Sequence, residues 1–320
     1  MHSSTKSQLT TKQINNLVST HFPAQQIEAI IELTDGYFNN AYRISFIGYQ
    51  PVILKIAPTP MTQVMTYEHN ILQTEVDMLE LVKQATNIPV PAVLAYDFSR
   101  HQCPSAYFFM EEIIGTPLNK IAKLHENIAK DIFLYQLGQY NFTLNQLTNT
   151  TFGYPGEKKL QANNWFDCFY QMIVWAIQDR LTLAIPLSVS DQAILELLKK
   201  HKYYFEAVES AQLVHWDLWA GNVFVDNKQI SGIIDFERCL WGDPLLEVGF
   251  RSHQNDRPFL AGYGKSTFSA QEQIRIRWYD LYLYLIVAQE GTYRRYQQND
   301  FHSWANGLLK ETYDFLLRTS

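Results

Sequence analysis

Apolar positions along the chain change period once. As far as about residue 112 they fall mainly in short β-branched runs, and from Asn119 onward they recur at three- and four-residue spacing. Gln8 to Phe22 carries Leu9, Ile14, Leu17 and Val18 behind the candidate caps Thr10 and Thr11, which predicts a short packing helix. Three apolar runs between Ile27 and Ala57, broken at Asp35-Gly36 and at Gly48 to Pro51, predict an antiparallel meander. A helix is expected over about Thr66 to Gln84, ended by Pro89 and Pro91, and Ala92 to Phe98 and Ser105 to Met110 complete five strands. Helices follow at Ile128–Leu147, Trp165–Ala184, Asp191–Val208, from about Leu245, at Phe268–Arg294 and at Asp300–Leu317; Thr148 to Asn164, with Gly153, Pro155 and Gly156, reads as a loop. The class is therefore α+β.

Polar residues that interrupt apolar faces carry the chemistry. In the strand Val52 to Ala57, Lys55 shares a face with Ile53 and Ala57. In the next helix Glu75 lies on the stripe of Leu72, Leu79 and Val82. The simplest solution is that Lys55 and Glu75 neutralise one another, since either charge buried alone would cost several kcal/mol; the alternative is a Lys55 that snorkels and a Glu75 at the stripe's edge. Further on, Leu213 to Pro244 places His215, Asp217, Asn222 and Asp235 in a strand-like segment. Val223–Val225 and Ile230–Ile234 flank a polar turn and predict a hairpin centred near Lys228 and Gln229, with Asn222 and Asp235 side by side at its open end. An amide oxygen beside a carboxylate suits Mg2+, which takes hard oxygen ligands and keeps waters and phosphates. Asp217, in the loop leading in, could accept a proton from a hydroxyl. Asp217 and Asp235 as mere turn and cap residues are the bland alternative.

The order His-x-Asp, then Asn222, then Asp235-Phe-Glu resembles the catalytic and metal loops of kinase-fold phosphotransferases. The wording His215-Trp-Asp-Leu-Trp-Ala-Gly-Asn222, with Ile233-Ile-Asp-Phe-Glu and Gly242-Asp-Pro, is similar to the aminoglycoside phosphotransferase and choline kinase superfamily, fructosamine kinases included. The resemblance implies a bilobal protein-kinase-like fold, with residues 1–112 as a nucleotide-binding N-lobe and 113–320 as a C-lobe bearing the catalytic loop, metal site and acceptor helices. It implies Lys55 and Glu75 positioning the phosphates of ATP, with GTP an alternative, Gly36, Asn39 and Asn40 near those phosphates, and backbone groups of Glu112 and Ile113 at the purine. Asn222 and Asp235 would hold Mg2+, Asp217 would be the base and His215 would brace the loop. A hairpin loop of turn-forming residues accounts equally well for Thr34 to Tyr42. Phe152-Gly-Tyr-Pro-Gly resembles a segment preceding the family's substrate-side helices, while the missing Ala-Pro-Glu and activation segment argue against a protein kinase.

Composition narrows the acceptor. A net charge of −6 with no Lys/Arg block disfavours nucleic acid and suits a cationic small molecule. Cys103, Cys168 and Cys239 show no metal or redox spacing, no apolar run is long enough to span a bilayer, and cytoplasmic residence is the expectation. The expected acceptor is a hydroxyl of an aminoglycoside or related amino sugar, with a fructosamine- or choline-type substrate, or a non-catalytic nucleotide-binding pseudokinase, as alternatives. Trp216 departs from the family's usual small or basic residue, which bears on acceptor size. Trp278, Tyr279, Tyr282, Tyr284 and Tyr293 are either core or, with Asp280 or Glu290, acceptor-pocket lining.

Overall fold

A computed structural model describes residues 7–34, 39–121, 127–254, 256–296 and 300–319. Helix α1 (Thr11–His21) opens the chain through a capping box in which the Thr10 hydroxyl accepts from the Gln13 amide while the Gln13 side chain accepts from the Thr10 amide. Strands β1 (Ile27–Leu33), β2 (Asn40–Phe46), β3 (Tyr49–Ile56), β4 (Val93–Asp97) and β5 (Tyr107–Glu111) form one antiparallel sheet in the order β1-β2-β3-β5-β4. Strand alternation sends Val52, Leu54 and Ile56 to one face, where Ile14, Leu17 and Val18 of α1 cover them. Ile53, Phe108 and Met110 face the other way, against Leu72, Val76, Leu79 and Val82 of α2 (Ile71–Ala85), in a core that runs on into the helical part of the molecule.

The remaining elements are β6 (Thr116–Pro117), α3 (Leu118–Ile121), α4 (Asn127–Leu144), β7 (Thr148–Asn149), β8 (Phe152–Gly153), β9 (Gln161–Ala162), α5 (Trp165–Thr182), α6 (Asp191–Lys200), β10 (Ala211–Val214), β11 (Val223–Asp226), β12 (Gln229–Ile233), β13 (Leu240–Gly242), α7 (Arg257–Tyr263), α8 (Ala270–Tyr293) and α9 (Asp300–Arg318). Short strands in the order β7-β10-β13-β8-β9 lead into the His215–Asp217 segment, and β12-β11-β6 ties the hairpin to the chain leaving the first sheet. The loop expected over 148–164 thus contributes three short strands.

Several boundaries differ from the sequence expectation for identifiable reasons. Thr66–Glu68 is a separate 3-10 turn because Asn70 adopts a left-handed φ of 54° immediately before α2. The helix expected from Leu245 is replaced by two 3-10 turns, Pro244–Leu246 and Val248–Phe250, where the carboxylates of Asp243 and Glu247 take the amides of Leu245 and Val248. Helix α6 stops at Lys200, followed by the short turn Lys202–Tyr204 rather than a continuation to Val208. The hairpin turn lies one residue earlier than expected, at Asn227 and Lys228, both with positive φ as a two-residue turn demands. An irregularity after Phe224 then sets Asn222 opposite Ile234, whose amide donates to the Asn222 carbonyl at 3.0 Å, so Asp235 follows one position beyond the pair.

Helices α4 and α7 pack backbone to backbone at two glycines. A Cβ on Gly138 would sit 2.1 Å from the Phe259 carbonyl oxygen, and one on Gly262 would sit 1.9 Å from that of Tyr135. Gly138→Ala is expected to destabilise the protein by about 1–3 kcal/mol despite alanine's better helix propensity, read as a lower denaturation midpoint.

Candidate active site

The ammonium of Lys55 meets both carboxylate oxygens of Glu75, at 2.7 and 2.6 Å, and Oδ1 of Asp235 at 2.7 Å. One side chain on β3 is therefore joined to α2 and to the end of β12, elements up to 180 residues apart. Glu75 is completely buried, so the snorkelling alternative for Lys55 does not describe the fold. Asp235 itself takes a left-handed φ of 71°, which turns the chain sharply into the Phe236–Arg238 turn.

The segment before it is braced from several sides. His215 is fully buried; its Nδ1 accepts from the Asp217 amide at 3.3 Å, leaving Nε2 to donate to the Ile234 carbonyl at 3.0 Å. Asn222 donates its Nδ2 to the Asp217 carbonyl at 2.9 Å and to Asp217 Oδ2 at 3.2 Å. Its amide oxygen is then the atom it can offer a cation. Trp216, with φ 61°, is buried and stacks on Tyr282 with centroids 5.3 Å apart, while the rings of Tyr67 and Tyr154 meet it edge-on. The bulky ring beside Asp217 is thus a foundation of the loop.

The other expected residues are not all drawn together. Asn39 donates to Glu237 in the Phe236–Arg238 turn, but its neighbour Asn40 turns to the Ser7 carbonyl at 2.7 Å and stays outside the cluster. Gly36 lies outside the described residues. Glu112 and Ile113 follow β5 directly; the Glu112 carboxylate is gripped by Arg43 at 2.6 and 3.0 Å, and the Ile113 side chain lies against Gly232 of β12. Trp278, Tyr279, Tyr282, Tyr284 and Tyr293 are core, their polar atoms bonded to His201, Asp243, Tyr154, His253 and the Asp179 carbonyl respectively. Asp280 is buried against Arg251, which removes it from any pocket.

A family model described as the phosphotransferase enzyme family matches residues 29–281. The chain belongs to that family. This phosphotransferase, a small-molecule kinase by family, shares its fold with solved structures of low sequence identity. One is a putative fructosamine-3-kinase from Thermobifida fusca YX-ER1, with a TM-score of 0.71 at 15% identity over 97% of this chain and 100% of that one. Another is aminoglycoside phosphotransferase APH(4)-Ia, at 0.66 and 17% over 95% and 99% of the two chains. A third is a putative aminoglycoside phosphotransferase from Ralstonia eutropha JMP134, at 0.66 and 10% over 97% and 99%. These likenesses show the protein-kinase-like fold. No curated protein matches the chain in sequence. No helix among the described residues is long and apolar enough to cross a membrane.

The phosphotransferase also contains residues that sequence reasoning passed over. Glu247, wholly buried, accepts the amides of His215 and Trp216 on one oxygen, at 2.9 and 3.2 Å, and so fixes the backbone leading to Asp217. Asp243 joins Arg275, Tyr279 and the Leu245 amide. Glu237 closes a group of three carboxylates: oxygens of Glu75, Asp235 and Glu237 lie within 4.8 Å of one another. Glu247 does carry a signal, a carboxylate inside the apolar run Pro244 to Phe250, of the same kind that exposed Lys55 and Glu75.

Charge is out of balance at this point. Three carboxylates face the one ammonium of Lys55, leaving a formal excess of negative charge. Burial pushes Glu75 up to about 7, against the pull of Lys55, and pushes Glu237 well above the usual carboxylate range, with Asp235 adding to the effect. Asp235 goes the other way: burial would raise it, but Lys55 holds it below its ordinary value. Burial opposes the charge on Lys55, yet Asp235 and Glu75 more than offset this and raise it. An oxygen-only donor set with surplus negative charge fits a hard divalent cation such as Mg2+.

Removing Lys55 strands Glu75, whereas removing Glu75 leaves Lys55 its contact with Asp235. Lys55→Ala is expected to destabilise the protein by about 3–5 kcal/mol and Glu75→Gln by clearly less, compared by urea denaturation. Equal losses would show that the pair contributes symmetrically.

Proposed function

We propose that this enzyme transfers the γ-phosphoryl group of ATP to a hydroxyl of a small molecule, with residues 1–112 gripping the nucleotide and 113–320 presenting the base and the acceptor. The observation that carries this reading is the convergence of Lys55, Glu75 and Asp235 at bonding distance, with Asn222 bonded to Asp217 at the same hairpin end. Structural neighbours support nucleotide binding: the APH(4)-Ia structures include complexes with AMP-PNP and hygromycin B, and aminoglycoside 2'-phosphotransferase-IIIa is recorded with GDP. The amino-sugar acceptor is supported by the same likeness, and the fructosamine-type alternative by the fructosamine-3-kinase neighbour.

Asn222 and Asp235 would hold Mg2+, with Glu237 close enough to join. Bound there, the ion supplies neutralisation of phosphate charge. Lys55, fixed by Glu75, orients the α- and β-phosphates, and backbone groups of Glu112 and Ile113 take the purine, beside the Arg43–Glu112 pair. Asn39 lies toward the phosphate side through its bond to Glu237. Asp217 accepts the hydrogen bond of the acceptor hydroxyl, aligns its oxygen and takes the proton as the new P–O bond forms and the bond from the γ-phosphorus to the departing ADP breaks. Asn222 and the Asp217 amide's bond to His215 keep that carboxylate from rotating away. Residues presenting complete kinase machinery disfavour the pseudokinase alternative.

Asp217→Asn is expected to lower kcat by about 10²- to 10⁴-fold with Mg-ATP binding retained, measured by coupled ADP release and product mass. Asp235→Ala is expected to abolish metal-dependent nucleotide binding in calorimetry; unaltered Mg-ATP affinity would refute its assignment.

Burial raises Asp217 to about 7, with Arg238 opposing the rise. The base works only when ionised, so kcat/KM is expected to fall about tenfold per unit as pH drops below that value. Positive charge added at Asn222 and Asp235 should shift this acid limb downward. A limb that moves upward as Mg2+ is raised would remove Asp217 from the base role.

A further inference from the structure

Next to Asp217 the molecule contains a buried chain of alternating charges. Arg238, which follows Asp235-Phe-Glu, lies over the rings of Tyr67 and Trp216, 5.6 and 5.7 Å from their centroids. Its Nη donates to Glu290 on α8 at 2.7 Å. Glu290 lies 3.4 Å from a guanidinium nitrogen of Arg294, which donates to Glu68 at 2.8 Å. Glu68 also accepts the Met65 amide at 2.9 Å and the Tyr67 hydroxyl at 3.2 Å. Arg238 follows Asp235 by three residues, packs on Trp216 next to Asp217 in the chain, and is near enough for its charge to oppose the rise of the Asp217 carboxyl, so this chain borders the base.

The two arginines and two glutamates cancel in charge. Other carboxylates of this region are also engaged: Asp179 takes both the amide and the hydroxyl of Thr66, at 2.7 and 2.6 Å, and Glu157 holds His69. Side-chain exposure falls from 16% at Glu290 and 12% at Arg238 to 5% at Arg294 and 1% at Glu68, so what reaches the surface is a neutral Arg–Glu pair. A polycation needs several unspent carboxylates, because each ammonium it brings must exchange water for a partner. Here a guanidinium stands in the first row instead.

We infer that Arg238 is a specificity-determining residue, and that the acceptor of this enzyme is an uncharged or acidic hydroxyl compound rather than a polycationic aminoglycoside. This rests on the phosphotransferase reading and narrows its acceptor. Arg238 repels an ammonium group beside the reacting hydroxyl, and it presents N–H donors to a hydroxyl, carboxylate or phosphate there. Glu290, itself paired with Arg294, holds it in place.

The test is phosphorylation by the whole chain with Mg-ATP of three acceptor sets, namely polycationic aminoglycosides, neutral sugars and polyols, and sugar acids or sugar phosphates. Arg238→Gln and Arg238→Lys are compared with the native enzyme, and Mg-AMP-PNP binding checks the fold of each. The native enzyme should favour a neutral or acidic acceptor. Arg238→Gln, which leaves Glu290 less compensated, should raise the kcat/KM ratio of cationic over neutral acceptors by about tenfold or more, and Arg238→Lys should not. A polycation as the best native substrate, an unchanged ratio in a folded Arg238→Gln, or no turnover of any neutral or acidic acceptor while nucleotide still binds would overturn the inference. Failure to bind Mg-nucleotide at all would instead overturn the phosphotransferase reading beneath it.

Discussion

A single ammonium holds the two halves of this molecule in register. Lys55 lies on the inner face of the first sheet, yet two of its partners come from elsewhere, Glu75 from a helix and Asp235 from the end of a hairpin 180 residues away. None of the three could be buried alone without a penalty of several kcal/mol, so each depends on the charge it meets there. The fold is thereby committed to bringing the sheet, the helix and the turn at Asp235 to one point. That point remains formally short of positive charge, with three carboxylates against one lysine.

The second theme is backbone held by side chains in place of regular structure. Outside its hairpin turn, the segment from His215 to Asp235 runs through two left-handed residues, Trp216 and Asp235, neither of them glycine. Each such conformation costs on the order of 1 kcal/mol or more and persists only where the surroundings enforce it. Here the enforcement is visible. Trp216 is stacked on Tyr282 while Glu247 takes its amide, and the Ile234 carbonyl just before Asp235 receives the His215 ring. Binding energy from the core is thus converted into a fixed position for Asp217, the property phosphoryl transfer asks of its protein.

A neutral surround for the base follows from the same economy. Arg238 and Glu290 are already paired, and the aromatic residues of α8, the helix that carries Glu290, are interior. Excess carboxylates collect around Lys55, while the Arg238–Glu290–Arg294–Glu68 chain balances in formal charge.

Much of this was legible in the chain itself. The change from β-branched runs to helical spacing located the five strands and the helices, because burial of one face writes its period into the sequence. Lys55 and Glu75 stood out because charges inside apolar faces must find partners, and the order of His215, Asp217, Asn222 and Asp235 marked a family's catalytic and metal loops. Other features depended on distance in space. The second partner of Lys55, the bracing of the His215–Asp217 backbone by Glu247, the exclusion of Asn40 in favour of Asn39, and the Arg238–Glu290–Arg294–Glu68 chain all join residues remote in sequence. The one-residue shift of the hairpin turn and the replacement of a helix by two 3-10 turns came from backbone irregularity and side-chain competition for amides. Local periodicity determines which face of an element is buried; which charges then meet across those faces is decided only when the elements pack.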